Sequence, residues 1–277
     1  MKNISIVIAL GVIAFVNCLA GDSVKCDSSI TSSVTITILY DNAACDKMFK
    51  QDWGFACVIE GLQKTILFDA GARPDILLHN MNQAHIDPNQ IQYLVISHGH
   101  GDHTDGLASV TGGKNLQCVY LPEELGSIAM NQLNHVELKN IVVSSPLELF
   151  PYTHLTGAMG DKLIEQSLII ETPQGLVLIT GCSHPGIVSI LKKAKQLLKK
   201  DPYVVLGGFH LLNHSDVQIN AIIDSFKTMG VRYCGATHCT GDKSMAAFRK
   251  AYGDHFVELG AGRIITLDKD GKLHFSQ

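Results

Sequence analysis

The feature that most constrains this chain is the run Tyr93-Leu94-Val95-Ile96-Ser97-His98-Gly99-His100-Gly101-Asp102-His103, where three imidazoles and a carboxylate follow directly on an apolar stretch. The apolar residues read as a buried strand, so the chain must fold in a way that brings a strand end to a cluster of polar side chains. Borderline-soft zinc takes imidazole nitrogen and carboxylate oxygen at about 2.0–2.2 Å, and a loop leaving a strand aims several such groups at one point. Glycine at 99 and 101 frees the backbone to turn that tightly. A lone histidine beside an apolar face is more often a satisfied core residue. Four potential ligands between positions 98 and 103 reverse that preference in favour of a metal site.

Three later segments repeat the arrangement. Gly181-Cys182-Ser183-His184 follows the apolar Leu176 to Thr180, Gly207-Gly208-Phe209-His210 follows Tyr203 to Leu206, and Thr237-His238-Cys239-Thr240-Gly241 follows Arg232 to Gly235. Taken singly, Cys182 reads as a small inert hydrophobe, His184 as a neighbour of a helix start, and the paired glycines before His210 as a tight turn. Histidine at three further strand ends points instead to convergence on the first site. Asp69, at the end of Leu67-Phe68, is expected to hydrogen-bond the metal-binding loop or one of its histidines and so fix a ligand's orientation. The competing reading makes it a turn former before Ala70-Gly71. His79, His85, His135, His154, His214, His255 and His274 lack supporting spacing and are read as surface or structural residues.

The chain's 277 residues suffice for one large core, and no linker, repeat, charge block or low-complexity tract divides them. Its net charge of -4 gives no electrostatic case for nucleic acid. Residues 1–20 read as a secretory signal peptide: Lys2 precedes a nearly unbroken apolar run from Ile4 to Val16, and Cys18-Leu19-Ala20 is a small-residue cleavage site. That run falls short of the roughly 20 residues a membrane span needs, so no stable span is expected after cleavage. An uncleaved anchor is the alternative. Residues 21–277 then form one domain, secreted or periplasmic. Cys26, Cys45, Cys57, Cys118, Cys182, Cys234 and Cys239 would remain, an odd number, with Cys26 and Cys45 the tidiest pair.

Periodicity outlines layered α/β architecture. Ser33 to Ile38 alternates as a half-buried strand, and Ala56 to Ile59 with Thr65 to Phe68 forms a hairpin. A helix is expected after Pro74, and Ile91 to Ser97 is the strand delivering the histidines. In the second half, strands at Ser167 to Glu171 and Leu176 to Thr180 precede a helix from about Gly186 to Lys199. Further strands are expected at Tyr203 to Leu206, Arg232 to Gly235, Arg263 to Leu267 and Lys272 to Phe275, with helices near Asp216 to Met229 and Lys243 to Tyr252.

The motif His98, His100, Asp102, His103 resembles the metallo-β-lactamase fold superfamily. Within it, Leu67-Phe68-Asp69-Ala70-Gly71, Glu165-Gln166-Ser167-Leu168, Gly181-Cys182-Ser183-His184-Pro185-Gly186, Gly207-Gly208-Phe209-His210-Leu211 and His238-Cys239-Thr240-Gly241 are similar to the dihydropterin-ribofuranosyl-aminobenzene-phosphate synthase-like branch. The similarity extends from about Val34 to Leu267. It implies a four-layer αββα sandwich with two zinc ions at one edge of the sheets. One zinc would be held by His98, His100 and His184, the other by Asp102, His103 and His238. Glu165 lies near a position where many members carry histidine, and Cys182 where they carry aspartate, so Cys182, Asp69 and Glu165 are candidate ligands or supports of ligands. Two zinc ions about 3.5–4 Å apart hold a water between them, lower its pKa and clamp developing charge on a carbonyl or phosphoryl group. Asp102 then serves as ligand and orienting acceptor, and His210 as donor to a substrate oxygen. The expected function is a zinc-dependent hydrolase acting on a small molecule such as a pterin or phosphate ester. The alternatives are a dihydropterin transferase, for which an exported protein lacks cytosolic intermediates, and a non-catalytic metal- or ligand-binding protein. Lactamase activity is weaker, since a fold does not choose its reaction.

Overall fold

The computed structural model describes residue 30, residues 32–122, residue 125 and residues 139–275. The expectations for residues 1–20, Cys26 and His135 lie outside the described residues. Fourteen described strands form two mixed sheets. The first contains β1 (Val34–Tyr40), β2 (Ala56–Glu60), β3 (Ile66–Phe68), β4 (Tyr93–Val95), β5 (Cys118–Leu121), β6 (Lys139–Val142), β13 (Ile264–Leu267) and β14 (Leu273–Phe275), in the order β14-β13-β1-β2-β3-β4-β5-β6. The second contains β7 (Leu147–Phe150), β8 (Thr153–Leu155), β9 (Leu168–Thr172), β10 (Gly175–Thr180), β11 (Pro202–Gly208) and β12 (Tyr233–Thr237), in the order β12-β11-β10-β9-β8-β7. Strands β3 to β6 run parallel to one another, as do β10 to β12.

Alternation of side chains across each strand explains why the central strands are apolar without a break. Cys57, Ile59, Ile66, Phe68 and Val95 point into the core between the sheets and meet Val177, Ile179, Val204 and Leu206 from the other side. Their neighbours Val58, Leu67, Leu94 and Ile96 point outward onto Ile76, Leu77 and Met81 of α1 (Pro74–Gln83). On the far side Leu176, Leu178 and Val205 pack under α3 (Ile187–Leu198), α4 (Asp216–Thr228) and α5 (Asp242–Tyr252). Both faces of each sheet are covered, giving the αββα layering. The short α2 (Gly101–Thr104) starts inside the histidine motif itself.

The expected hairpin of β2 and β3 forms with Val58 opposite Leu67, and the expected helices lie within a residue or two of their anticipated ends. The delivering strand β4 is shorter than Ile91 to Ser97 at both ends, and beyond it the Ile96 N–H still donates to Tyr120 O at 3.0 Å while Ser97 bonds Asp69. Strands β5 to β8 had no counterpart in the sequence reading. β5 has only four residues, polar Lys139, Asn140, Glu148, Thr153 and His154 interrupt the apolar pattern of β6 to β8, and β6 and β7 are sheet edges whose residues are largely exposed or half-buried. The first half is therefore richer in strands than the anticipated strand and helix alternation. Among the described residues no helix is long and apolar enough to cross a membrane.

Candidate metal centre

The loops that follow β3, β4, β10, β11 and β12 meet at one edge of the sandwich, and Asp69 organises the meeting. It is fully buried, and its Oδ1 accepts the Ser97 N–H at 2.7 Å. Its Oδ2 accepts the Ser97 hydroxyl and the His103 Nδ1–H, each at 2.7 Å. Since Ser97 Oγ donates to Asp69, its lone pair faces His98 Nδ1 at 2.9 Å. Both histidines thus carry the proton on Nδ1 and turn a bare Nε2 toward the cavity. The turn-former reading of Asp69 is too small: the residue does turn the chain, at φ 58°, but for this network.

The six expected ligands are brought together in two groups. Donor atoms of His98, His100 and His184 lie within 4.8 Å of one another, as do those of Asp102, His103 and His238. Asp102 Oδ2 stands 3.3 Å from His238 Nε2 and 3.7 Å from His103 Nε2. The Nε2 atoms of His184 and His238 are buried and accept or donate no well-formed hydrogen bond. At 3.3 Å from a carboxylate, an Nε2 that still lacks hydrogen-bond geometry is aimed at a point the two atoms share. Buried unpartnered nitrogens are costly on their own, and a cation at those points removes the cost. The donor set fits zinc.

Electrostatics point the same way. Burial first, then the neighbouring imidazoles His103, His184 and His100, hold His98 neutral far below its ordinary range. Burial, His210 and His100 lower His184 to about 4. Burial opposes charge on Asp102, yet the adjacent His238 and His103 imidazoles outweigh it and bring the carboxylate down to about 2. His103 is the exception: burial opposes its charge, but Asp69 overrides burial and raises its pKa, favouring a proton that a bound cation would have to displace. Neutral imidazoles and an ionised aspartate are the forms that bind metal.

Glu165 does not join either group. Burial raises its pKa, while its Oε1 accepts the N–H groups of Ser183 at 2.8 Å and Cys182 at 3.0 Å and its Oε2 that of His184 at 2.8 Å. It clamps the backbone of the 182–184 loop, including Ser183 at φ 65°. Cys182 lies between the groups, its Sγ 3.3 Å from His103 Nε2 and close to His98. His210 stays out of both histidine groups. Its exposed ring lies tilted against that of His184, centroids 4.3 Å apart, with a ring nitrogen within 4.8 Å of the Cys239 sulfur. His154, read as structural, pairs with Glu171 at 2.8 Å, remote from the two donor groups.

Two contributors escaped the sequence reading. Asn42 Oδ1 accepts His238 Nδ1–H at 3.0 Å and the Gly54 N–H at 3.1 Å, doing for His238 what Asp69 does for His103. Beside it Trp53, the chain's one tryptophan, leaves half its surface exposed with its ring 4.8 Å from that of His238. The Asp41-Asn42 pair just beyond β1 was the available signal, but nothing local says that it reaches a histidine 196 positions away. Of the seven non-glycine residues at positive φ among the described residues, Asp69, Ser183, His210 and His238 lie here. Such strain persists only where surroundings enforce it, and it gathers at functional sites. Gly181 is required by contact: a Cβ there would stand 2.1 Å from Ser97 Oγ and 3.0 Å from Asp69 Oδ2.

The sequence profile of the metallo-beta-lactamase superfamily matches residues 54–191. The 7,8-dihydropterin-6-methyl-4-(beta-D-ribofuranosyl)-aminobenzene-5'-phosphate synthase of Methanocaldococcus jannaschii is 28% identical, over 83% of this chain and 95% of its own. An uncharacterised protein of the same organism is 32% identical, over 84% of this chain and 100% of its own. Among solved structures, a metal-dependent hydrolase of the beta-lactamase superfamily superimposes with a TM-score of 0.71 at 27% identity, covering 83% of this chain and 98% of its own.

Proposed function

Because the chain belongs to the metallo-beta-lactamase superfamily, we propose that it is a two-zinc hydrolase acting on a phosphoryl or carbonyl group of a small molecule. The observation that carries this reading is the pair of three-donor groups, His98/His100/His184 and Asp102/His103/His238, at one strand-end edge. These residues would hold the ions, with Cys182 between them. When bound, such a pair supplies Lewis-acid polarisation of the substrate and activation of water at neutral pH.

The protein's own part is positioning. Asp69 and Asn42 hold the Nδ1 protons of His103 and His238, Ser97 passes the same constraint to His98, and Glu165 sets the loop bearing Cys182 and His184. Asp102 keeps its charge beside two imidazoles and offers an acceptor at Oδ2. Exposed Trp53 lies against His238 and exposed His210 against His184. Metal analysis after zinc reconstitution, followed by hydrolysis of a panel of phosphate esters, diphosphates and lactones in oxygen-18 water, tests the proposal. About two zinc ions and one solvent oxygen per product are expected. Absence of metal, or products free of solvent oxygen, would sink it.

A transferase reading is favoured by the 28% identity with the archaeal synthase across nearly its whole length. A joined pterin product, in place of a hydrolysed one, would select it. We also propose export, with a mature chain beginning at or near Gly21. Intact-mass measurement of the cell-associated and exported pools decides this.

A further inference from the structure

Beside the histidine groups stand a second thiol, Cys239, and an imidazole, His210, that take no part in the metal binding above, and both lie near Cys182. The sulfurs of Cys182 and Cys239 and a ring nitrogen of His210 lie within 4.8 Å of one another. The Cys239 thiol also donates to the Cys182 carbonyl at 3.4 Å, which ties the two loops together beside the cluster. The three arrive from three strand ends, Cys182 after β10, His210 after β11 and Cys239 after β12.

Strand β11 runs between β10 and β12, so the two cysteines meet only by reaching over its end. The residue there is Gly208. A Cβ on it would stand 2.7 Å from Cys239 Sγ and 3.4 Å from Cys182 Cα. The backbone is bare where the thiols cross it. His210 itself and His238, the residue before Cys239, hold φ of 54° and 51°. Those turns are tied to each other, for the Leu211 N–H donates to Cys239 O at 3.2 Å and the Phe209 N–H to Thr240 Oγ1 at 3.0 Å.

Packing alone does not call for this arrangement. Thiols are weak donors and acceptors, and two apolar side chains would fill the same space. As metal ligands the three residues are well matched: two sulfurs soft enough to select a thiophilic ion, an imidazole, and an exposed side at His210 that leaves entry and an open position. We propose that Cys182, His210 and Cys239 bind a third, thiophilic divalent cation, with the Cys182 sulfur shared between it and the histidine groups. Sharing follows from the same sulfur's 3.3 Å approach to His103 Nε2. The proposal gives His210 a ligand's place in exchange for the substrate-donor role suggested by the sequence.

Cobalt(II) titration of the metal-free protein tests it, read by metal analysis after desalting and by thiolate-to-cobalt charge transfer in the near ultraviolet. Wild type should retain about three equivalents, and Cys239→Ser and His210→Ala about two each, with a weaker charge-transfer band. Because His210 is exposed, its alanine variant keeps the fold, which circular dichroism verifies. Two equivalents in wild type with the band unchanged in both variants would overturn the proposal. A Cys182–Cys239 disulfide that reductant opens without restoring a third equivalent would overturn it as well. A wild type holding one equivalent, lost in Cys239→Ser, would defeat the two-zinc reading and leave this one standing.

Discussion

The two histidine groups share an edge of the sandwich but are prepared for a cation in different ways. Asp102, His103 and His238 include a carboxylate held at about 2, and each imidazole has an acceptor, Asp69 or Asn42, on its far nitrogen. His98, His100 and His184 are imidazoles only, and two of them are kept neutral by burial and by one another. The first group brings its own negative charge to a partly dry site, where it counts for more than in water. The second relies on lone pairs. The comparison teaches that the aspartate group should fill first and hold its ion longer against a chelator.

The largest effect expected is that of Asp69→Ala, because Asp69 is the one residue serving both groups, His103 directly and His98 through Ser97. The substitution strands the Ser97 N–H and two imidazoles in a buried place, and should cost about 3–5 kcal/mol in urea unfolding while abolishing both metal equivalents. Retention of either ion would show that the groups are independent. Next come the ligands themselves. His103→Ala should remove the tightly held ion and His98→Ala the weaker one, with His154→Ala changing neither, as competition with a chromogenic chelator would report. Identical losses from His98→Ala and His103→Ala would erase the distinction between groups.

Asn42→Ala is a finer probe, touching the aspartate group alone. Removing the acceptor from His238 Nδ1 should weaken that ion about 10–100-fold and leave the other unchanged. The smallest effect concerns Asp41, whose two oxygens accept the Thr237 hydroxyl at 2.8 and 2.7 Å and so tie β1 to β12 behind His238. Burial pushes its carboxyl up to about 6 against those hydrogen bonds. The folded chain then keeps a proton that the unfolded chain releases near pH 4, so stability present below that pH is lost as pH rises through about 6. Relative to Asp41→Asn, wild type should lose up to about 3 kcal/mol between roughly pH 4 and 7. A flat difference in thermal or urea unfolding over that range would remove Asp41 from the account.

What was legible in the sequence was whatever a strand and the few residues after it express locally. The six donors of the two groups stand immediately beyond apolar runs, and the alternation of strands and helices gave layered α/β architecture, which the family resemblance narrowed to αββα. Asp69 was legible because it stands at the end of the apolar Leu67-Phe68, and the pairing of that strand with the one bearing the motif brings it to the site. Asn42, Trp53 and the Glu165 clamp were not legible in their roles, since each acts across sequence gaps that only the packed sheets close. The Glu165 position attracted notice as a ligand candidate and turned out to hold backbone. Strands β5 to β8 were hidden by their length of three or four residues, and β6 to β8 also by polar interruptions. Convergence of the loops bearing Cys182, His210 and Cys239 was legible, but not the meeting of the two thiols with His210: it depends on a missing side chain at Gly208, and absence leaves no periodic trace.

Gly181 sets a clearance. The second sheet's loop lies against Ser97 and Asp69 of the first with no room for a single methyl group between them. In a saturation scan read by metal content, position 181 should therefore prove as intolerant as any histidine, although it offers no donor atom. An inventory of indispensable positions in this protein would be longer than its ligand set, and the excess would map the seam along which two sheets must fit before any ion can be held.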